Sequence, residues 1–131
     1  MDAAGVARRY VELWYATERE DELRSLLADG FVHHTPSGDF DRDGFLQQLG
    51  FVNAALSDVG YDIVHALAAG DVASVYVTVE ATHSGDFFGV PATGKRVSTA
   101  GACFLRVEDG LIAEDWDSWA LHTILFQIQR D

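Results

Sequence analysis

The apolar residues of this chain change period at Gly60, from helical spacing before it to strict alternation after it, and that switch restricts the folds open to the chain. Upstream, Val6, Tyr10, Leu13 and Trp14 recur as one stripe of an amphipathic helix over residues 2–16. A short second helix is predicted from Asp21 to Leu27, closed by Gly30 just past its end. Phe31 to Thr35 reads as a brief extended segment stopped by Pro36-Ser37-Gly38. Asp41 then reads as an N-cap, with Phe45, Leu49, Val52 and Leu56 as the buried stripe of a third helix.

Downstream, Tyr61, Ile63, His65 and Leu67 alternate with Asp62, Val64 and Ala66, and after a turn at Gly70-Asp71 so do Val75, Val77 and Val79 with Tyr76, Thr78 and Glu80. A long connection, Gly85 to Gly94, leads to a third strand over residues 96–107. Asp109-Gly110 marks a tight hairpin into a fourth strand from Leu111 to about Trp119. The tail Leu121, Ile124, Leu125 and Ile128 fits either a short helix or an edge segment. Three helices followed by an antiparallel meander define an α+β order. A long twisted sheet curls, and helices laid into its concave side leave a lined cavity. Residues 1–131 are therefore expected to form one domain around one pocket.

Charge narrows the function. With 9 Lys and Arg against 21 Asp and Glu, the net charge is −12, which disfavours phosphate backbones and anionic membrane surfaces as partners. No apolar run has the length to span a bilayer, and the first residues mix acids and arginines instead of forming a signal-peptide h-region, so a cytoplasmic protein is expected. A single Cys rules out an internal disulfide. There is no His-x-His, HExxH or Cys-x-x-Cys spacing and no phosphate-binding glycine loop at a strand-to-helix junction. No metal, flavin or nicotinamide site is therefore expected.

Two stretches carry a resemblance. Thr82-His83-Ser84-Gly85-Asp86-Phe87-Phe88-Gly89-Val90-Pro91-Ala92-Thr93-Gly94-Lys95-Arg96-Val97 resembles the Thr-His to Pro-x-Thr-Gly loop of SnoaL-like polyketide cyclases, within the nuclear transport factor 2-like superfamily. The run from Phe104 to Asp117, with Arg106, Gly110, Ile112, Glu114 and Trp116 in place, resembles their second hairpin. The resemblance implies a cone-shaped α+β barrel, an intramolecular aldol closure or isomerisation of a hydrophobic carbonyl compound without a cofactor, and a homodimer paired through the outer face of the sheet, which here includes Tyr76, Thr78 and Phe104. It also implies Asp117 as the pocket acid/base, and Trp14 and Asn53 as pocket-lining residues. Ala120 stands where members often carry a further acid, Leu111 where Lys or Arg is common, and the tail departs from the usual Leu-Leu-x-Gln-Leu-Gly.

Aldol closure needs a base for the α-proton, and a carboxylate in an apolar pocket serves because desolvation raises its proton affinity. Alternation puts Asp115 and Asp117 on one face of the fourth strand and Glu114 and Trp116 on the other. A regular two-residue hairpin at Asp109-Gly110 sets Glu114 and Trp116 beside Cys103, Leu105 and Val107, the more apolar face, which makes Glu114 a second candidate for the inward acid. His34 is a candidate base by likeness to ketosteroid isomerases of the superfamily, and only one of His33 and His34 can line the pocket. His83 fits a loop-anchoring hydrogen bond as well as a binding role, and Cys103 a buried apolar position. Two other readings stay open. One is an epoxide hydrolase, which needs an Asp-Arg-Asp arrangement, and the other is a binding or dimerisation domain without chemistry.

Overall fold

In a computed structural model, which describes residues 1–130, aspartates cap two helices, Asp41 as the sequence predicts and Asp2 in addition. Asp2 Oδ1 accepts from the Gly5 N–H at the start of α1 (Ala3–Trp14), and Asp41 Oδ1 from the Gly44 N–H at the start of α3 (Arg42–Ala55), each at 2.8 Å. Between them lie α2 (Glu20–Leu26), β1 (Leu27–Thr35) and β2 (Gly38–Phe40). After α3 come β3 (Leu56–Ala69), β4 (Val72–His83), β5 (Arg96–Glu108), β6 (Leu111–Trp119) and α4 (Leu121–Gln129).

The strands form one curved, unclosed sheet in the order β2-β1-β6-β5-β4-β3, so β2 and β3 are its edges. The β3-to-β6 meander is antiparallel, as alternation predicts. The sheet is wider than four strands because the segment before α3 joins it: β1 runs parallel to β6 and carries β2 on its other side. Gly30 therefore lies inside a strand and not at a helix cap, since Leu27 already pairs with Ile112. Leu56 likewise begins β3 instead of ending α3. The tail resolves as helix α4, with Ile124 and Ile128 buried.

The concave side is covered by α1, whose Val6, Tyr10, Val11 and Leu13 are buried with Val75 and Val77 of β4 and Leu105 of β5. A second apolar cluster lies towards α4, where Ile124 and Ile128 meet Ala81, Phe87 and Val97. His65, which alternation placed with core residues, is exposed: the β3–β4 register slips between Ile63 and His65, so Ile63 and Ala66 turn inward instead. Among the described residues no helix is long and apolar enough to cross a membrane.

Candidate functional site

The face that β6 presents to the interior is decided by one extra residue. Glu108 pairs with Leu111 around Asp109 (φ 53°) and Gly110 (φ 76°), the left-handed pair of a tight hairpin. Val107 pairs with Ile112, but Arg106 pairs with Glu114, so Ala113 is a bulge. A regular hairpin sets Glu114 and Trp116 inward. The bulge reverses this, placing Asp115 opposite Leu105 and Asp117 opposite Cys103, on the inner face. The inward position expected for Glu114 is corrected accordingly: its carboxylate lies outside and accepts from Arg106 Nε at 2.7 Å.

On the neighbouring strand, alternation sends Phe31, His33 and Thr35 inward and His34 outward. His33, 6% exposed, donates from Nε2 to Asp117 Oδ2 at 2.7 Å. Burial alone lowers the proton affinity of its imidazole. The Asp117 hydrogen bond, followed by the charges of Asp117 and Asp115, outweighs burial and holds it above the ordinary histidine value. Asp115 is 0% exposed and accepts from the phenol of Tyr10, reaching down from α1, at 2.6 Å. Burial and the adjacent Asp117 charge push the Asp115 carboxyl up to about 7, against the opposing pull of the Tyr10 hydroxyl and His33. Burial and Asp115 likewise push the Tyr10 phenol well above its ordinary value.

Asp115 Oδ1 and His33 Nδ1 are buried without a hydrogen-bond partner. One donor atom from each of His33, Asp115 and Asp117 falls within 4.8 Å of the others, a convergence that no metal-binding spacing in the sequence announces. Within the cluster His33 Nε2 is committed to Asp117 and Asp115 Oδ2 to Tyr10.

His33 and Asp117 open onto a cavity of about 840 Å³ between the sheet, α3 and the loop after β4. Its walls are mostly aromatic and aliphatic, among them Tyr15, Phe45, Phe87 and Trp119, with Thr35, Gln48 and Ser118 supplying polar contacts. Trp14 lines both this cavity and a smaller cleft of about 290 Å³ among the helices, where Asn53 is found, its amide donating to the Trp14 carbonyl at 2.8 Å. Trp14 thus borders the large cavity, as expected, whereas Asn53 lines only the smaller cleft.

The remaining candidates lie elsewhere. His34 stacks on Trp116 (ring centroids 5.0 Å apart, planes 12° apart) on the outer face, with Nε2 donating to Glu114 at 2.8 Å and Nδ1 to Asp39 at 3.0 Å. The Glu114 hydrogen bond, followed by that to Asp39, raises its proton affinity, and the ring bridges the two carboxylates. The Arg106 and His34 hydrogen bonds in turn hold Glu114 below the usual carboxylate range. Arg106 is occupied on the outside by Glu114 and Glu108, so it does not join the inner acids in an Asp-Arg-Asp arrangement. His83 is fully buried and anchors the loop: its Nδ1 accepts from the Thr93 N–H at 3.2 Å and lies 2.9 Å from the Thr93 hydroxyl. Cys103 is a buried thiol whose proton affinity burial pushes up, inside the core rather than on the cavity wall.

Tyr10 carries no mark in the sequence beyond being a phenol, not an aliphatic residue, on the buried stripe of α1. That hydroxyl implies a buried acceptor, and the partner it finds, Asp115, lies 105 residues away.

Residues 4–128 match the sequence model of SnoaL-like polyketide cyclases. Among solved structures, the chain is similar to IdmH of Streptomyces antibioticus, a proposed polyketide cyclase, at 26% identity and TM-score 0.87, covering 99% of this chain and 100% of that one. It is similar in fold to AclR of Streptomyces galilaeus, a proposed hydroxylase, at 24% identity and TM-score 0.87, covering 96% and 94%. A proposed polyketide cyclase of Acidithiobacillus ferrooxidans is similar in fold at 23% identity and TM-score 0.81, covering 98% and 96%. No curated protein matches the chain.

Proposed function

The chain belongs to the SnoaL-like polyketide cyclase family, and from that premise we propose that it is a cofactor-independent enzyme abstracting a proton next to a carbonyl of a hydrophobic, polyketide-like substrate. The observation that carries this reading is the His33–Asp117 pair, 2.7 Å apart, at the wall of a large apolar cavity. Asp117 has one oxygen engaged by His33 and serves as base: its carboxylate takes the α-proton and the C–H electron pair passes into an enolate. The enolate carbon attacks a second carbonyl of the same molecule to form the C–C bond, and the alkoxide recovers a proton from the Asp117 carboxylic acid. In an isomerisation the same proton returns at another carbon. His33, whose proton affinity its neighbours raise, lies beside Asp117 and stabilises the enolate oxygen as it gains charge.

His34 and Glu114, on the outer face, serve as a latch between β1, β2 and β6, and Trp116 packs over that latch. Trp14 contributes to the wall of the cavity. The working unit is proposed to be a cytoplasmic homodimer joined across the outer face, where Leu67, Tyr76, Phe104 and Trp116 are exposed.

The test is turnover of a panel of polyketide esters and cyclic ketones. Asp117→Asn is expected to lose about 10²–10⁴-fold in kcat/KM, the usual worth of a positioned acid/base, while still binding the substrate. Full activity in Asp117→Asn removes it from the mechanism. Binding without turnover by the unaltered protein favours the non-catalytic reading, for which the missing acid at Ala120 speaks.

A further inference from the structure

Behind the two residues that face the cavity lies a pair that does not touch it. We propose that Asp115, tethered to Tyr10, is a positioning residue that holds the proton of a shared two-carboxylate site, so that Asp117 alone carries the negative charge opposite His33. The proposal deepens the acid/base reading above and rests on it for its catalytic meaning, though not for its test.

The environments of the two carboxylates are unequal. Asp117 has the imidazole of His33 at 2.7 Å and borders the cavity. Asp115 is 0% exposed, has one neutral donor, the Tyr10 phenol, and leaves Oδ1 bare. A buried carboxylate is stable when several donors or a countercharge meet it, and one phenol does not supply that; the neutral acid demands far less. Two carboxylates this close do not both ionise easily, so the proton settles on the one with the poorer surroundings.

The groups that face Asp115 agree with this. From α1 there is Tyr10 and from β5 the thiol of Cys103, both kept neutral by burial. From β1 there is His33, whose nearest countercharge is Asp117, while His34 lies beyond the sheet with Glu114 and Asp39. On β6 itself there is Asp117, which repels a second charge. The position of the Asp115 carboxyl near 7 follows from the same causes. In turnover, protonation of Asp117 removes that repulsion, while Asp115 keeps its own proton and Tyr10 its hydrogen bond.

The test needs no substrate. Carboxyl carbon NMR of the unaltered protein is expected to show one aspartate titrating near neutrality, and that signal is absent in Asp115→Asn. The ring signals of His33 are expected to titrate in two coupled steps, collapsing to one in Asp115→Asn with the midpoint lower by roughly one pH unit. Tyr10→Phe, which removes the donor that favours the ionised acid, moves the Asp115 midpoint upward and that of His33 in the same direction as Asp115→Asn, by less. A purely structural Asp115 alters thermal stability but leaves the His33 titration in place. If every aspartate titrates below about pH 5, or if His33 is unmoved in folded Asp115→Asn, the proposal is wrong. Should Asp115→Asn fail to fold, the carboxyl signal of the unaltered protein and the Tyr10→Phe shift decide alone. Because none of these readouts involves turnover, they separate this proposal from the failure of the catalytic reading.

Discussion

Gly101 shows how a single missing methyl group shapes the cavity wall. It lies opposite Trp119 across the β5–β6 ladder, and a Cβ built on it falls 2.3 Å from the indole ring. The indole rests there with its edge against Trp14 (centroids 5.4 Å apart, 69° between planes) and forms part of the cavity wall. Gly101→Ala is expected to drive the ring off the sheet, costing about 1–3 kcal/mol as an overpacked core does, and to change tryptophan fluorescence. Urea denaturation checks the cost, and adding Trp119→Leu to Gly101→Ala should recover most of it. A double variant no more stable than Gly101→Ala would mean the indole is not what the methyl meets. At this scale the sequence was informative about pairs and silent about sides. Alternation put Asp115 with Asp117 and separated His33 from His34, yet neither pattern says which partner looks inward. Likeness to related isomerases favoured His34, and the structure turns it to the outer face.

Among elements, the β5–β6 hairpin carries the most consequence. Its turn was legible, since Asp-Gly supplies two residues that tolerate positive φ, and so was the Asp41 cap. The Ala113 bulge was not, because Ile112-Ala113 reads like any two apolar residues of a buried strand; nor was the parallel β1–β6 pairing, a contact between segments some 80 residues apart that leaves no local trace. Deleting Ala113 tests what the bulge does. A strand slipped by one residue presents its other face, so the deletion drives Glu114 and Trp116 into the core and expels Asp115 from Tyr10. Losing a buried network and burying an unpaired acid together place the expected destabilisation above about 4 kcal/mol, among the severe single changes. Loss of the cooperative thermal transition by circular dichroism is the expected result. A deletion variant that melts like the parent would show that the register is set elsewhere, by α1 packing or by β1.

For the whole molecule, the helix-then-meander order and two family-like stretches made the architecture readable, whereas the cavity depends on side-chain directions that no single segment encodes. The outer face shows the same division. The ladder Ser74–Phe104–Trp116–His34 crosses β4, β5, β6 and β1, with Leu67 beyond it and Tyr76 alongside. Phe104 is 56% and Leu67 67% exposed. An apolar stripe of this extent on an otherwise acidic surface is what a self-complementary interface requires. Two copies each at −12 also repel, so the association is expected to tighten as salt screens the charge, opposite to the behaviour of a contact held by ion pairs. Phe104→Lys places a cation in the middle of the apolar stripe of each copy. Light scattering after size exclusion should find the parent dimeric, more so at high salt, and Phe104→Lys monomeric with an unchanged far-ultraviolet spectrum. A monomeric parent at about 100 µM, or a Phe104→Lys dimer, would place the interface on another face. The inner acids lie on the opposite side of the sheet from this stripe, so the monomeric variant should keep the His33 titration of the parent even as it loses its partner.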